Sequence, residues 1–217
     1  MFADGTIMKE NEFNEAVTLK LKKYLENANI DVLLVAPETT DVPLQTRVQR
    51  ANNAKADIYV SIHANAYGSS WNTANGFETL IFPNAGAKTV ELAECIHNKC
   101  ITATGLRNRG IKERPDLYVL RTTSMPAVLL ECGFMTNQAE AELLRSDSYR
   151  NKVAEAIYEG IIDYFNIKML GEVLFMTVEE AKKIIQKKCG FDDNTMNYLS
   201  YYRYGESMIV RLAEAMK

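Results

Sequence analysis

Apolar residues recur at helical spacing near the start of the chain. Phe13, Val17, Leu21 and Leu25 fall four apart, with lysines on the opposite face, which predicts an amphipathic helix over residues 10–29. The run Asp31–Ala36 (DVLLVA) is short and almost unbroken in its apolar character, as in a strand buried on both faces. A segment led by Pro43 then carries Leu44, Val48 and Ala51 as a second helix, and Ala56–His63 (ADIYVSIH) reads as another buried strand. Phe77–Phe82 is strand-like, and Ala87–Thr104 is helical up to a Gly105 stop. Leu117–Leu120 and Ala127–Glu131 are two further short apolar runs, followed by helices near 138–144 and 148–165. Alternating helices and buried strands predict an α/β fold: a twisted, mostly parallel sheet flanked by helices.

The pattern changes after Met169-Leu170-Gly171. Thr177-Val178-Glu179-Glu180 is a capping box, opening a helix with Val178, Ala181, Ile184 and Ile185 inward. Gly190 stops it, Asp192 or Asp193 can cap a second helix, and Met208, Ile209, Leu212 and Met216 form a third apolar stripe. The expected organisation is one domain over 1–167 and a small helical module over 168–217. A module of that size is marginal alone, so residues 170–217 are expected to dock or to self-associate. Tyr198, Tyr201, Tyr202 and Tyr204 suit either its core or a wall-anchoring surface.

Composition narrows the partners. With 217 residues, 47% of them apolar, the chain can close one full core, and its net charge of −3 gives no general attraction to nucleic acid or acidic lipid. No run of eighteen apolar residues predicts membrane insertion, and MFADGTIMKE shows neither part of an export signal. Cys95 and Cys100 would lie about 140° apart around one helix, so they cannot pair locally. With Cys132 and Cys189 they read as free thiols.

Only two histidines are present. His63 ends a buried strand in Ser61-Ile62-His63-Ala64-Asn65-Ala66, at the carboxyl end where open α/β sheets bind ligands. A core histidine would fit that position equally well. Glu131 closes the apolar run Pro126–Leu130, where a carboxylate is costly to desolvate without a metal, proton or partner. The bland reading is an edge glutamate reaching solvent. His97 lies mid-helix and reads as a surface residue.

Several segments together resemble the type-3 N-acetylmuramoyl-L-alanine amidases, zinc hydrolases of bacteria and phage endolysins. In order they are Glu10–Asn14, Arg47 with Arg50–Asn52, Lys55–Asp57, Ser61–Ala66, Asn75–Thr79, Thr104–Gly110, Tyr118–Arg121 and Met125–Phe134, covering about residues 4–165. The resemblance implies Glu10 and His63 as zinc ligands, Glu131 as the catalytic carboxylate and Asn65 on the substrate groove. Glu12 competes with Glu10, but Glu10 stands four before Asn14, as the family's ligand does. Arg47 and Asn52 read as scaffold. The implied reaction is cleavage of the amide joining N-acetylmuramic acid to L-alanine of the peptidoglycan stem peptide. It would use zinc-activated water and act at the cell wall. The alternative is a degenerate, non-catalytic peptidoglycan-binding protein.

One departure bears on that choice. Family members begin with a strand ending in histidine, commonly Asp-x-Gly-His-Gly, before the first-helix glutamate. Here the nine residues before Glu10 contain no histidine. The expectation is an N-terminally incomplete domain, short of one strand and the third zinc ligand usual in catalytic sites. As written, it should bind zinc poorly and hydrolyse slowly or not at all.

Overall fold

The computed structural model describes residues 8–38, 40–167 and 178–200. The chain separates into two compact units, 1–167 and 168–217.

In the first unit, helices α1 (Glu10–Asn27), α2 (Leu44–Ala54), α3 (Ala87–Thr104), α4 (Tyr118–Thr122), α5 (Gln138–Arg145) and α6 (Asp147–Tyr164) surround one sheet. Its strands are β1 (Tyr59–Asn65), β2 (Phe77–Ile81), β3 (Asn108–Glu113) and β4 (Ala127–Phe134), in the order β1-β4-β2-β3. β1 runs parallel to β4 and β2 parallel to β3, while the central β2–β4 pair is antiparallel.

Alternation along the strands separates two cores. Ile62 and Ala64 of β1, Val128, Leu130 and Cys132 of β4, and Phe77 and Ile81 of β2 share one cluster with residues of α1, α3 and α6. From α1 the predicted stripe Phe13, Val17, Leu21 and Leu25 supplies that cluster. Gly160 lets α6 approach α3, since a Cβ there would lie 2.5 Å from Ile96 Cα. Tyr59, Leu80, Ala127 and Leu129 form a smaller cluster with Val48 and Ala51 of α2 and Val119 and Leu120 of α4.

One strand expectation is corrected. Asp31–Ala36 is extended but belongs to no ladder among the described residues. Ile30 and Val32 pack on the larger cluster and Val35 on the smaller, while Leu33 is 50% exposed. The run has the side-chain pattern of a buried strand, but no backbone among the described residues pairs with it. The short apolar run Leu117–Leu120 leads into the helical turn α4. Among the described residues β3 (NRGIKE) pairs on one side only, and its polar composition hid it.

In the second unit, α7 (Val178–Cys189) ends at Gly190, and Asp192 Oδ1 accepts from Thr195 N at the start of α8 (Asp193–Ser200). Ala181, Ile185 and Met196 are buried. Thr177 of the capping box and the stripe from Met208 to Met216 lie outside the described residues. No helix among the described residues is long and apolar enough to cross a membrane.

Candidate functional site

His63, Glu131 and Glu78 stand in a row across the sheet. His63 pairs in register with Glu131, and Glu131 with Glu78, so the three side chains share one face. The row lies at the carboxyl ends of β1 and β4. Glu140, itself buried, secures both flanks: its Oε1 accepts from Gly76 N at 2.7 Å and its Oε2 from Phe134 N at 2.7 Å. Gly76 has φ +110°, and a Cβ there would fall 2.4 Å from Arg107 O, so glycine is required where β2 begins.

Glu10 reaches this row from the first turn of α1. Its Oε1 lies 2.6 Å from His63 Nδ1 and accepts from Asn14 Nδ2 at 3.1 Å. Glu12 is exposed on the same turn, so the geometry favours Glu10. Ser61 Oγ lies 2.9 Å from His63 Nε2. The tautomer with Nδ1 protonated satisfies both contacts, donating to Glu10 and accepting from the Ser61 hydroxyl.

Burial works to raise the Glu10 pKa, but the hydrogen bonds from His63 and Asn14 bring it below the ordinary glutamate value. Glu131 goes the other way, pushed up to about 7. Burial is the main cause; the charges of Glu10 and Glu78 add to it, and His63 opposes it. Glu131 Oε2 is fully buried and has no hydrogen-bond partner.

A metal fit can be tested on these contacts. An imidazole nitrogen and a carboxylate oxygen converge on one point, and an orphaned carboxylate oxygen lies on the neighbouring strand. The donor types suit zinc. Glu10 and His63 would supply two donors, and no set of three or more His, Cys, Asp or Glu side chains is arranged to hold a metal ion among the described residues. Among the described residues, the pair fits as part of a metal site.

Asn65 ends β1, but its amide is already engaged: Nδ2 donates to Glu78 Oε1 at 3.1 Å, and Oδ1 accepts from Ala66 N. Asn52 bridges α2 to the Thr122 carbonyl and Ser124, while Arg47 holds Val42 O and Asp41, both consistent with scaffold. His97 is not a surface residue. It is 3% exposed, with Nδ1 3.0 Å from Thr79 Oγ1 and Nε2 2.9 Å from Asn108 Oδ1, and it pins α3 to β2 and β3.

Sequence reading passed over Glu78. It is 6% exposed, and its Oε2 accepts from Arg109 Nε and Lys112 Nζ of β3. These cations hold its pKa below the ordinary value although burial acts to raise it. The signal was available: a lone carboxylate in the apolar run FETLIF carries the same desolvation cost that singled out Glu131.

Fold and site together define an α/β domain with a carboxylate–histidine centre at the rim of its sheet. Residues 3–163 match the family model described as N-acetylmuramoyl-L-alanine amidase, and the chain belongs to that family. It is 33% identical over 173 residues to the N-acetylmuramoyl-L-alanine amidase CwlM of Bacillus licheniformis, covering 80% of this chain and 66% of that protein. It is 38% identical over 168 residues to the endolysin of Bacillus phage SPP1, covering 74% of this chain and 60% of that one. Thus the chain spans about two thirds or less of these relatives' lengths. Among solved structures, the catalytic domain of CwlV, an N-acetylmuramoyl-L-alanine amidase from Bacillus (Paenibacillus) polymyxa, superposes with a TM-score of 0.67. It is 39% identical, covering 73% of this chain and 86% of that one.

Proposed function

We propose that this chain is the catalytic part of a peptidoglycan hydrolase that cleaves the amide between N-acetylmuramic acid and L-alanine of the stem peptide. Family membership supports the substrate class. The observation that carries the chemistry is the meeting of Glu10, His63 and Glu131 at one end of β1 and β4. Glu10 and His63 would hold zinc together with at least one further donor. Zinc, when bound, supplies Lewis acidity to the scissile carbonyl and to the attacking water.

Glu131 is suited to proton transfer. Its pKa near 7 leaves both protonation states populated at neutral pH, which suits its carboxylate to take a proton from the attacking water. Returning that proton to the departing amine completes the cycle and restores the carboxylate. Burial on β4 keeps competing solvent from the carboxyl group. The specific observation favouring a non-catalytic, peptidoglycan-binding role is the two-donor centre.

One comparison separates the two readings. The chain would be prepared with and without an upstream Asp-x-Gly-His-Gly strand, zinc affinity measured by titration, and stem-peptide release from purified peptidoglycan followed. The extended form should bind zinc more tightly and release peptide, and Glu131→Gln should slow its release by roughly a thousandfold. Zinc-independent release, or release indifferent to Glu131→Gln, would overturn the catalytic reading. Full activity in the short form would refute the need for a further donor.

A further inference from the structure

We propose that Arg109 and Lys112, clamped by the buried Glu78 carboxylate, form an anion subsite that takes a carboxylate of the substrate's peptide. This inference rests on the peptidoglycan reading above and deepens it.

The cluster is oriented from inside to outside. The Glu78 side chain is 7% exposed, that of Arg109 25% and that of Lys112 42%. Glu78 Oε1 accepts from Asn65 Nδ2 at 3.1 Å, and Oε2 accepts from Arg109 Nε at 2.7 Å and Lys112 Nζ at 2.5 Å. Arg109 Nη1 also donates to Asn75 O at 3.3 Å, and the guanidinium lies 4.9 Å from the centre of the Phe134 ring. The neighbouring Arg114 is occupied elsewhere, in a paired contact with Asp116.

Two cations against one carboxylate leave a net positive charge. An arginine has five N–H donors and an ammonium three, so one glutamate and one carbonyl cannot use them all. The remaining donors belong to the more exposed partners. Both head groups are also held in place, so an incoming anion need not order two long side chains. A surface lysine or arginine would lack that advantage.

Position supplies the ligand's address. Glu78 is the register partner of Glu131, and Lys112 lies on the strand beyond, paired with Leu80 on the same face as Glu78. Both cations rise from β3, about two strand spacings, roughly 10 Å, from Glu131, and reach back to Glu78 on the strand between. An extended peptide covers that distance in about two or three residues. The group recognised is thus a carboxylate within the first few residues beyond the scissile bond. If the cations served only to neutralise Glu78, no such preference would exist.

The test measures binding to the intact, metal-free 217-residue chain by calorimetry. The probes are N-acetylmuramoyl-L-alanyl-D-glutamate, which carries two carboxylates, and its diamide, which carries none. The acid should bind about tenfold more tightly than the amide. Lys112→Met should bring the two within about twofold of each other, and Lys112→Arg should restore most of the preference. Equal affinities in the unaltered chain, or a tenfold preference surviving Lys112→Met, would overturn the subsite. If neither probe bound, the subsite would fall together with the peptidoglycan reading, whereas equal binding of both would remove the subsite alone.

Discussion

The two faces of the sheet differ in what they bury. One carries Ile62, Phe77, Val128, Leu130 and Cys132 against three long helices, and its polar members Thr79 and His97 satisfy each other. The other carries a smaller apolar cluster under α2 and α4, and beside it the row His63, Glu131 and Glu78. Stability is concentrated on the first face. On the second, desolvated carboxylates are tolerated because the first face holds the strands in register. Glu131 and Leu130 are adjacent in sequence, yet they belong to different halves of this division.

The division is broken most directly on β4. Leu130→Ala empties a fully buried site in the larger cluster and should cost roughly 3–4 kcal/mol, lowering the melting midpoint by about 10 °C. Its neighbour Leu129 faces the smaller cluster and should cost about 1 kcal/mol less on the same change. Thermal unfolding of the pair would decide it, and an equal or larger loss at Leu129 would contradict the division.

A pH series on the metal-free protein addresses the other face. Glu131 has its folded pKa raised from 4.5 to about 7, so the native state favours its protonated form. Below pH 4.5 both folded and unfolded chains are protonated there, and burial of the neutral acid is fully tolerated. As pH rises towards 7 the unfolded chain ionises first, and native stability is lost. Glu131→Gln should therefore stabilise the protein by up to about 3 kcal/mol at pH 8 and by little at pH 4. Denaturant midpoints at the two pH values would show it; a pH-independent difference would mean that Glu131 is not desolvated.

His97 tests the polar element within the apolar face. His97→Phe keeps most of the ring's volume and removes both of its hydrogen bonds, leaving the Thr79 hydroxyl without its buried partner. A loss of about 2 kcal/mol is expected. No loss would place His97 among the dispensable residues. The smallest effect should come from Glu38→Ala, which removes an exposed pair with Arg50 on the solvent side of α2; the melting midpoint should move by no more than about a degree.

Much of this was legible from period alone. The stripe from Phe13 to Leu25, the helix ending at Gly105, and the strands at His63 and Glu131 follow from spacing and from two well-placed breakers. What failed did so for identifiable reasons. Asp31–Ala36 has a strand's composition, but a strand exists only as half of a ladder, and no described segment completes it. β3 announces itself by pairing with β2 rather than by hydrophobicity. His97 looked solvated because helical position does not reveal which face of α3 meets the sheet.

The sequence by itself determined the alternation of helices and strands and the chemical types at the ends of β1 and β4. Both depend on local period and on the cost of placing a charge in an apolar run. The tertiary structure alone decided that His97 is buried between α3 and the sheet, and that Glu78 pairs with Arg109 and Lys112 of β3. Those choices depend on strand order, register and helix docking, which are long-range pairings that no local pattern encodes.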